Sequence, residues 1–543
     1  MRLWPSFIGL AAIAAGCGGS AGSSGTCQVS SVNVSANPGT VPTGQASTVT
    51  AVVTSTGSCS GGVAWSATPG GGTLTTNGAT ATFSSGAAAT YTLTARSNDD
   101  TTQSGSTTVA VTQAAQCGVA NGTVVTHSSN IVNSETWAGA GVTHMVPQSI
   151  AVDAPATVTI EPCAIVALGQ GATITVRGDT TGNRTATLAA LGTNDDTGFV
   201  AFVRADDSKP WGILRGFNEK AIIDLRHTLV QGGGSFGGQY HNAAIAMAGP
   251  GYSSAPAGTL KVDHVQVDQP QGAGIYLDSN AAFTADSNSL AVTGAPDYPL
   301  MLTMMAVGSI PTFVGQNNAH DDAFVVGPNA NVFANMTIHK RLPIRIQTGS
   351  MTIAGPINDT TPVVLTLDPG VVLRFQPLNA QPGARVIFGG NGQDPNNKVG
   401  VLVAQGTASE PILFTSGAAT PAAGDWVGLW LDTSPGSRLD HVVIEYAGAD
   451  NGINSVNCRP ASSTDDAALV VGDFSTQYVP PANLITNSII RFSAGHGINA
   501  IWQGSDFNPN LTAGNTFTAN AGCNQTWNSL TQPCPTGGGC QPQ

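Results

Sequence analysis

Residues 28–113 are built from short runs in which apolar and polar side chains alternate, with turn dipeptides between the runs. Pro-Gly, Thr-Gly and Asn-Gly pairs mark the turns, and a period of two is typical of strands that bury one face. Strands at this spacing pack as two sheets, so the pattern predicts a β-sandwich. We expect Trp65 in its core and Val109 to Val111 in its last strand.

Beyond Cys117 the pattern changes to short Val, Ile and Leu runs with Gly, Asn or Asp at the bends. Examples are ATITVRGD at 172–179 and LKVDHVQVD at 260–268. Such runs suit a solenoid, in which each coil places its strands on those of the neighbouring coils, about 4.8 Å apart. Residues 117–543 are therefore predicted to form one long parallel β-helix.

Four segments of this region recur later in the chain in the same order. The separation of the copies grows from 207 residues (366 minus 159) to 223 residues (497 minus 274). The pairs are Thr159–Leu168 with Thr366–Phe375, Trp211 with Trp426, His227 with His441, and Gly274 with Gly497. Because repeats at a fixed order indicate a duplicated unit, we predict two similar halves, at about 142–335 and 336–522.

Both regions resemble known families. Residues 28–113 resemble bacterial Ig-like domains, which usually act as spacers. The second region is similar to right-handed parallel β-helix repeats of bacterial surface proteins in the phrases TIEPCAIVAL, GDWVGLWLD, LDHVVIEYAG and NSIIRFS. The resemblance implies an all-β protein with a small Ig-like β-sandwich followed by a long right-handed parallel β-helix. It implies no single function, because lyases, hydrolases, adhesins and inert stalks share this scaffold.

Composition agrees with an almost helix-free chain. Only 9% of the residues are charged, with 5 Lys and 5 Glu, so side chains that favour solvent-facing helices are scarce. The net charge of -13 excludes nucleic acid and anionic membrane surfaces as partners, since phosphates would be repelled. One basic cluster, HKRLPIR at 339–345, is predicted to be an exposed turn rather than a carboxylate-binding site.

The N-terminus has the plan of an export signal over residues 1–17. Ala14-Ala15-Gly16-Cys17 resembles the lipobox of bacterial lipoproteins, which implies lipidation of Cys17. The alternative is ordinary signal cleavage that leaves Cys17 unmodified. Residues 18–27 are rich in Gly and Ser and are expected to be a flexible tether.

Eight further cysteines predict disulfides, because an even number in an exported chain is typical of a disulfide framework. No Cys-x-x-Cys pair occurs, which argues against zinc. We expect bonds within three groups, the last forming a Cys-rich C-terminal cap of open connectivity. The groups are Cys27 and Cys59; Cys117 and Cys163; and Cys458, Cys523, Cys534 and Cys540.

The stretch SAGHGINAIW, at 493–502, is the first candidate for catalysis, because its Gly-His-Gly resembles a catalytic strand of the polygalacturonases. Such enzymes need two carboxylates around one glycosidic bond. Near His496 the sequence offers only Arg491 and Asp506. The repeat places Ala273 opposite His496, so the imidazole is expected to be an addition that the coil does not need. No catalytic site is predicted, and these three residues are its only candidates.

Other patterns have structural interpretations. GGSFG at 233–237 fits a serine-hydrolase motif but lacks the helix that a nucleophile elbow requires. We expect the repeated histidines to stack or to bond turns, the two repeated tryptophans to pack in the core, and the Asp pairs to lie in solvated turns. Asp pairs can bind Ca²⁺ in loops, but none of these has the spaced ligands of a known calcium loop, so no metal or cofactor is predicted. These residues are His227, His264, His441, Trp211, Trp426, Asp195, Asp196, Asp321, Asp322, Asp465 and Asp466.

The leading interpretation is an exported lipoprotein, anchored in the bacterial outer membrane or cell surface, whose β-helix is a non-catalytic binding or adhesion scaffold. Its expected partners are a polysaccharide or another cell-surface ligand, with membrane contact only through the lipid. The alternative is an extracellular polysaccharide lyase or glycoside hydrolase of the β-helix type. Convergence of two carboxylates, or of a carboxylate with Arg or Lys, in one groove would favour the enzyme.

Overall fold

A computed structural model describes most of the chain, in two compact units that divide between residues 114 and 115. The signal segment, Cys17 and residues 18–25 lie outside the described residues, so export and lipidation stay predictions. The described residues are 26–112, 117, 119–179, 183–194, 197–248, 258–278, 281–327, 331–347, 351–353, 361–377, 386–388, 400–431, 434, 436–451, 466–472, 480–500, 509–526 and 540.

The first unit contains two four-stranded sheets, with strand orders β1-β3-β6-β5 and β2-β8-β7-β4. Val49, Phe83, Leu93 and Val109 are fully buried in the core of this unit, and Trp65 is a half-buried residue at its edge. The Ig-like assignment stays a prediction. The strands are β1 (Gln28–Asn37), β2 (Thr40–Pro42), β3 (Ala46–Thr56), β4 (Val63–Thr68), β5 (Thr73–Asn77), β6 (Thr80–Ser84), β7 (Ala89–Ser97) and β8 (Ser104–Thr112).

The second unit is a stack of short parallel strands, beginning with β9 (Val124–Thr126). The strands of its first half continue as β10 (Glu135–Trp137), β11 (Thr143–Val146), β12 (Ile150–Asp153), β13 (Thr157–Ile160), β14 (Ile165–Leu168), β15 (Ile174–Arg177), β16 (Ala186–Leu191), β17 (Val200–Arg204), β18 (Leu214–Phe217), β19 (Ala221–Gln231), β20 (Ile245–Ala248), β21 (Thr259–Asp268), β22 (Ile275–Leu277), β23 (Ala282–Phe283), β24 (Asn288–Thr293), β25 (Leu300–Leu302), β26 (Phe313–Gln316) and β27 (Ala323–Val325).

The remaining strands follow the same plan, and helices are minor. A 3₁₀-helix spans Gln239–Asn242 and α1 spans Met304–Val307. The later strands are β28 (Met336–Ile338), β29 (Ile344–Ile346), β30 (Met351–Ile353), β31 (Val363–Leu367), β32 (Val372–Phe375), β33 (Val386–Phe388), β34 (Gly400–Gln405), β35 (Ile412–Ser416), β36 (Leu429–Leu431), β37 (Arg438–Asp440), β38 (Val442–Glu445), β39 (Ala467–Val471), β40 (Ile485–Thr486), β41 (Ile489–Arg491), β42 (His496–Ala500) and β43 (Thr516–Thr518).

Three faces of parallel strands enclose one hydrophobic core that extends from Ile131 to Leu511. A 13-stranded sheet (the long sheet) runs through both halves in the order β12-β15-β18-β20-β22-β25-β27-β29-β32-β35-β38-β41-β43. In the first half the other two faces belong to one 12-stranded sheet, which bends within β19 and β21. In the second half they are two five-stranded sheets, β28-β31-β34-β37-β40 and β30-β33-β36-β39-β42. The predicted all-β fold with a parallel β-helix is confirmed.

Single residues with left-handed backbone form the corners between faces. At the bend of the 12-stranded sheet, successive coils place His227, His264 and Ser289 with φ of 40°, 54° and 45°. Histidine tolerates this conformation better than most residues, which explains why it recurs there. His441 and Asn487 form the matching corner of the second half, with φ of 48° and 50°.

The two halves repeat their contacts as well as their sequence. Trp211 Nε1 donates a hydrogen bond to the carbonyl of Gln231 at 2.7 Å, and Trp426 Nε1 donates one to Glu445 at 2.9 Å. Trp211 precedes β18 of the long sheet, whereas Trp426 precedes β36 of a five-stranded sheet. The second copy is therefore rotated by one face relative to the first. The exact limits of the halves stay a prediction.

Disulfides are confirmed among the described residues. The bonds are Cys27–Cys59 in the first unit, and Cys117–Cys163 and Cys523–Cys540 in the second. Cys458 and Cys534, the other two cysteines of the predicted C-terminal group, lie outside the described residues. No helix within the described ranges is both long and apolar enough to span a membrane.

A cluster of aromatic rings packs on the first coils of the β-helix. His127 Nε2 and His144 Nδ1 share a hydrogen bond of 3.0 Å, and Trp137 stacks on both rings. Burial lowers the pKa of both imidazoles. Neutral rings suit this contact, because a hydrogen bond between two imidazoles requires an unprotonated acceptor nitrogen.

Candidate functional site

The outer side of the long sheet carries a continuous row of side chains, one from each coil. Strand alternation explains the row, because the flanking residues, such as Ile275 and Leu277 beside Tyr276, point into the core. Tyr276 belongs instead to a second hydrophobic cluster outside the sheet. From coil to coil the row is Arg215, Ala246, Tyr276, Met301, Phe324, Arg345 and Arg374.

The segment 232–244 folds back over this row. Gly234 has a φ of 112°, and a Cβ there would lie only 2.1 Å from the carbonyl oxygen of Asn242, so only glycine permits the turn. The segment then forms the 3₁₀-helix Gln239–Asn242 and packs Phe236 and Tyr240 against the outer cluster.

Five rings form what we call the aromatic surface: Phe236, Tyr240, Tyr276, Tyr298 and Phe324. Tyr240 lies 6.0 Å from Phe236 and 5.6 Å from Tyr276, measured between ring centroids. Tyr298 lies 4.6 Å from Phe324. All of these rings except Tyr276 are only partly buried, so they leave part of their apolar surface open to solvent on several adjoining coils.

Polar groups border the aromatic surface. The Arg215 guanidinium lies 5.2 Å from the ring centroid of Phe236 and 5.8 Å from that of Tyr240, which are cation–π distances. His241 and Asp297 approach within 3.6 Å at the other side. Burial raises the pKa of Tyr298, so its hydroxyl stays protonated and able to donate a hydrogen bond.

Arg345 and Arg374 continue the row beyond Phe324, and together with Asp321 and Asp322 they form what we call the charged ladder. Asp322 Oδ2 lies 2.8 Å from Arg345 Nη2 and 2.9 Å from Arg374 Nη1, and its side chain is 0% exposed. Asp321 also binds Arg374, at 2.6 Å, and this bond lowers the pKa of Asp321. The expectation of a solvated Asp321-Asp322 turn is therefore wrong for Asp322, because two guanidinium groups bury its carboxylate.

Arg491, a catalytic candidate from sequence, lies further along the same sheet. Its Nη2 is 2.6 Å from Glu445 Oε2, and Thr415 donates to the other oxygen of Glu445 at 2.7 Å. Arg491 is thus bound to a buried carboxylate of the neighbouring coil. Asp506 lies outside the described residues.

His496 begins β42 in the second five-stranded sheet and is 4% exposed. Its Nδ1 accepts a hydrogen bond of 2.8 Å from the backbone N–H of Cys523 on the next coil. Gly522 leaves room for the ring, since a Cβ there would lie 2.3 Å from Nδ1. The ring therefore satisfies a part-buried backbone donor of the next coil, a role that the sequence did not indicate, and whether the coil needs the imidazole is tested by substitution.

Replacing His496 by Ala is expected to lower the free energy of unfolding by about 2 kcal/mol, because the Cys523 N–H loses its acceptor and the buried ring leaves a cavity. His496→Asn, which retains an acceptor, should lose less. Urea unfolding of the full chain measures the difference. Neither the wild-type chain nor the two variants are expected to release reducing ends from polygalacturonate. If the stability of His496→Ala is unchanged, the coil does not need the imidazole, as the sequence repeat predicts.

The remaining sequence candidates occupy structural positions. Trp211 and Trp426 are 0% and 3% exposed in the core, so neither indole face is open to a sugar. Ser235 is exposed in a loop that leads to the 3₁₀-helix rather than to an α-helix. Asp466 is buried and accepts from the backbone N–H of Asn451. Asp195, Asp196 and Asp465 lie outside the described residues.

The basic cluster at 339–345 is bound to acids of neighbouring coils. His339 lies 2.8 Å from Asp368, and Lys340 lies 2.6 Å from Glu410, with all four side chains largely exposed. Together with the pair of Arg345 and Asp322, these contacts offset most of the positive charge of the turn. The cluster therefore offers little attraction to an anionic polymer.

Comparisons with protein-family models, with curated proteins and with solved structures find no match for this chain. Its function is therefore inferred from the geometry of the chain itself.

Proposed function

We propose that the β-helix is a non-catalytic scaffold that binds an uncharged glycan through the aromatic surface. The observation that carries the proposal is the presence of two pairs of partly exposed rings, Phe236 with Tyr240 and Tyr298 with Phe324, packed against one cluster outside the long sheet. Sugar rings have apolar C–H faces that pack on flat aromatic faces, and their hydroxyl groups bond to polar groups at the rim.

Charge supports an uncharged ligand. The net charge of -13 repels polyanions, and Arg345 and Arg374 are bound to Asp322 rather than available to a carboxylate. Tyr298 and His241 remain at the rim, where a hydroxyl and an imidazole can exchange hydrogen bonds with sugar hydroxyls.

The rest of the chain fits a protein held at a cell surface. In this proposal Cys17 carries the lipid, residues 18–27 form the tether, and the sandwich is an Ig-like spacer that holds the β-helix away from the membrane. Disulfides agree with an exported location, since they persist in oxidising compartments.

Binding of uncharged oligosaccharides tests the proposal. The full chain is applied to an array of cello-, xylo-, manno- and malto-oligosaccharides, with polygalacturonate as the anionic comparison. We expect binding to at least one uncharged series, weakened about fivefold or more by Tyr240→Ala and by Tyr298→Ala. Phe333→Ala removes a 54% exposed ring elsewhere on the β-helix and should have no effect. Equal binding by all variants, or gradual cleavage of the bound glycan, would contradict the proposal.

A further inference from the structure

A pair of histidines lies on a different part of the β-helix from the aromatic surface. His227 and His264 occupy the same corner on successive coils, and their rings stack 4.7 Å apart with planes inclined by 13°. The carboxylate of Asp263 joins them, with Oδ1 at 2.8 Å from His264 Nδ1. The stacking predicted from sequence is present, but the neighbouring carboxylate adds a chemical feature that sequence analysis did not anticipate.

These three side chains bring two imidazole nitrogens and one carboxylate oxygen within 4.8 Å of one another. A tetrahedral ion with bonds of about 2.1 Å spaces its donors about 3.4 Å apart, so small side-chain rotations complete the geometry. His264 and Asp263 are free to make such rotations, because their side chains are 41% and 34% exposed.

The surroundings leave room for an ion. The pair borders a shallow hollow whose walls include Phe199, Leu229 and Ser289. Arg226, which is paired with Asp263 on the neighbouring strand, is bound to Asp224 at 2.7 Å, which offsets its charge. A metal at the corner therefore meets donors on one side and solvent on the other.

We infer that His227, His264 and Asp263 form a binding site for a divalent transition-metal ion of the zinc class. Two imidazoles favour Zn²⁺ and related ions over Ca²⁺ and Mg²⁺, which prefer oxygen ligands. Three protein ligands leave a coordination position for water or for a group of a bound partner. The site is independent of the proposed glycan binding.

The second half contains a matched comparison. His441 lies at the equivalent corner and has the same acidic neighbour, with its Nδ1 2.9 Å from Asp440 Oδ2. The next coil places Asn487 where the first half has a histidine. That corner has one imidazole and so lacks the donor set.

Calorimetric titration of Zn²⁺ into the tag-free, chelator-treated full chain tests the inference. We expect one saturable equivalent with a Kd on the order of 10 µM or tighter, and Co²⁺ should show the visible absorption of a bound ion. Asn suits left-handed corners and occupies one in this chain, so His227→Asn and His264→Asn should keep the fold. Each should weaken Zn²⁺ binding by about tenfold or more, as should Asp263→Leu.

Two further variants distinguish a specific site at this corner from nonspecific binding of Zn²⁺ to any histidine of the chain. His441→Asn should leave the titration unchanged, whereas Asn487→His should add a second equivalent by creating a second pair beside Asp440. No saturable binding by the wild-type chain, or binding that survives both His227→Asn and His264→Asn in a folded protein, would overturn the inference and leave the pair a structural stack.

Discussion

Replacing Trp211 by Ala is expected to lower the free energy of unfolding by about 4 kcal/mol. The indole is 0% exposed in the core, and its Nε1 donates to the carbonyl of Gln231 at 2.7 Å. Gly233 lies directly against the ring, since a Cβ there would approach it to 2.5 Å. Truncation therefore leaves a large cavity and an unsatisfied carbonyl on adjoining coils.

Trp426→Ala is the matched variant, because Trp426 has the equivalent contact with Glu445 in the second half. Trp211→Phe separates the two causes, since it keeps most of the apolar volume and removes the hydrogen bond. Urea unfolding of the full chain, combined with hydrogen exchange of the β-helix strands, locates the loss. A loss below about 1 kcal/mol for Trp211→Ala would show that the coils collapse around the cavity.

Replacing Asp322 by Ala is expected to cost about 3 kcal/mol. The carboxylate is fully buried and binds both Arg345 and Arg374, so its loss leaves two part-buried guanidinium groups with Asp321 as their remaining acid. The large cost arises from the unpaired charges rather than from the strength of the ion pairs themselves.

A triple variant, Asp322→Leu with Arg345→Met and Arg374→Leu, removes the charges together and should recover much of the loss. Asp206→Ala is the exposed control: Asp206 is bound to Lys209 at 3.1 Å, and no measurable change in stability is expected. Chemical unfolding measures all three proteins. If the triple variant is no more stable than Asp322→Ala, the loss does not come from unpaired charges. The arrangement of the charged ladder itself would then stabilise the coils.

The features that were predictable from sequence are local or repeated. Alternation predicts strands because side chains on a strand point to opposite faces with a period of two. The copies Trp211 with Trp426 and His227 with His441 aligned correctly, and the structure gives each pair the same backbone position or contact. These residues depend on their own coil and its neighbours, which a repeat preserves.

The aromatic surface and the charged ladder were missed, because they depend on coil length. Tyr276 and Tyr298 are 22 residues apart in sequence (298 minus 276), and only the size of the intervening coil brings them to one face. Asp321 and Asp322 look identical in sequence, yet one side chain is 72% exposed and the other fully buried. The sequence carried one signal of the aromatic surface. Tyr276 lies between two core residues of β22, so strand alternation places its side chain on the outer face of the sheet.

The rotation of the second half by one face has a consequence for multivalency. Trp430 is the counterpart of Arg215, but it belongs to β36 of a five-stranded sheet, whereas Arg215 belongs to β18 of the long sheet. In the proposed function, a polymer that lies along the long sheet would pass the aromatic surface and then the charged ladder, without meeting a second copy of either among the described residues. If this surface binds a glycan as proposed, duplication of the coils does not double the avidity for one straight polymer. A site that evolves on the equivalent face of the second half would point in a different direction around the axis of the β-helix. It would therefore bind a separate polymer molecule.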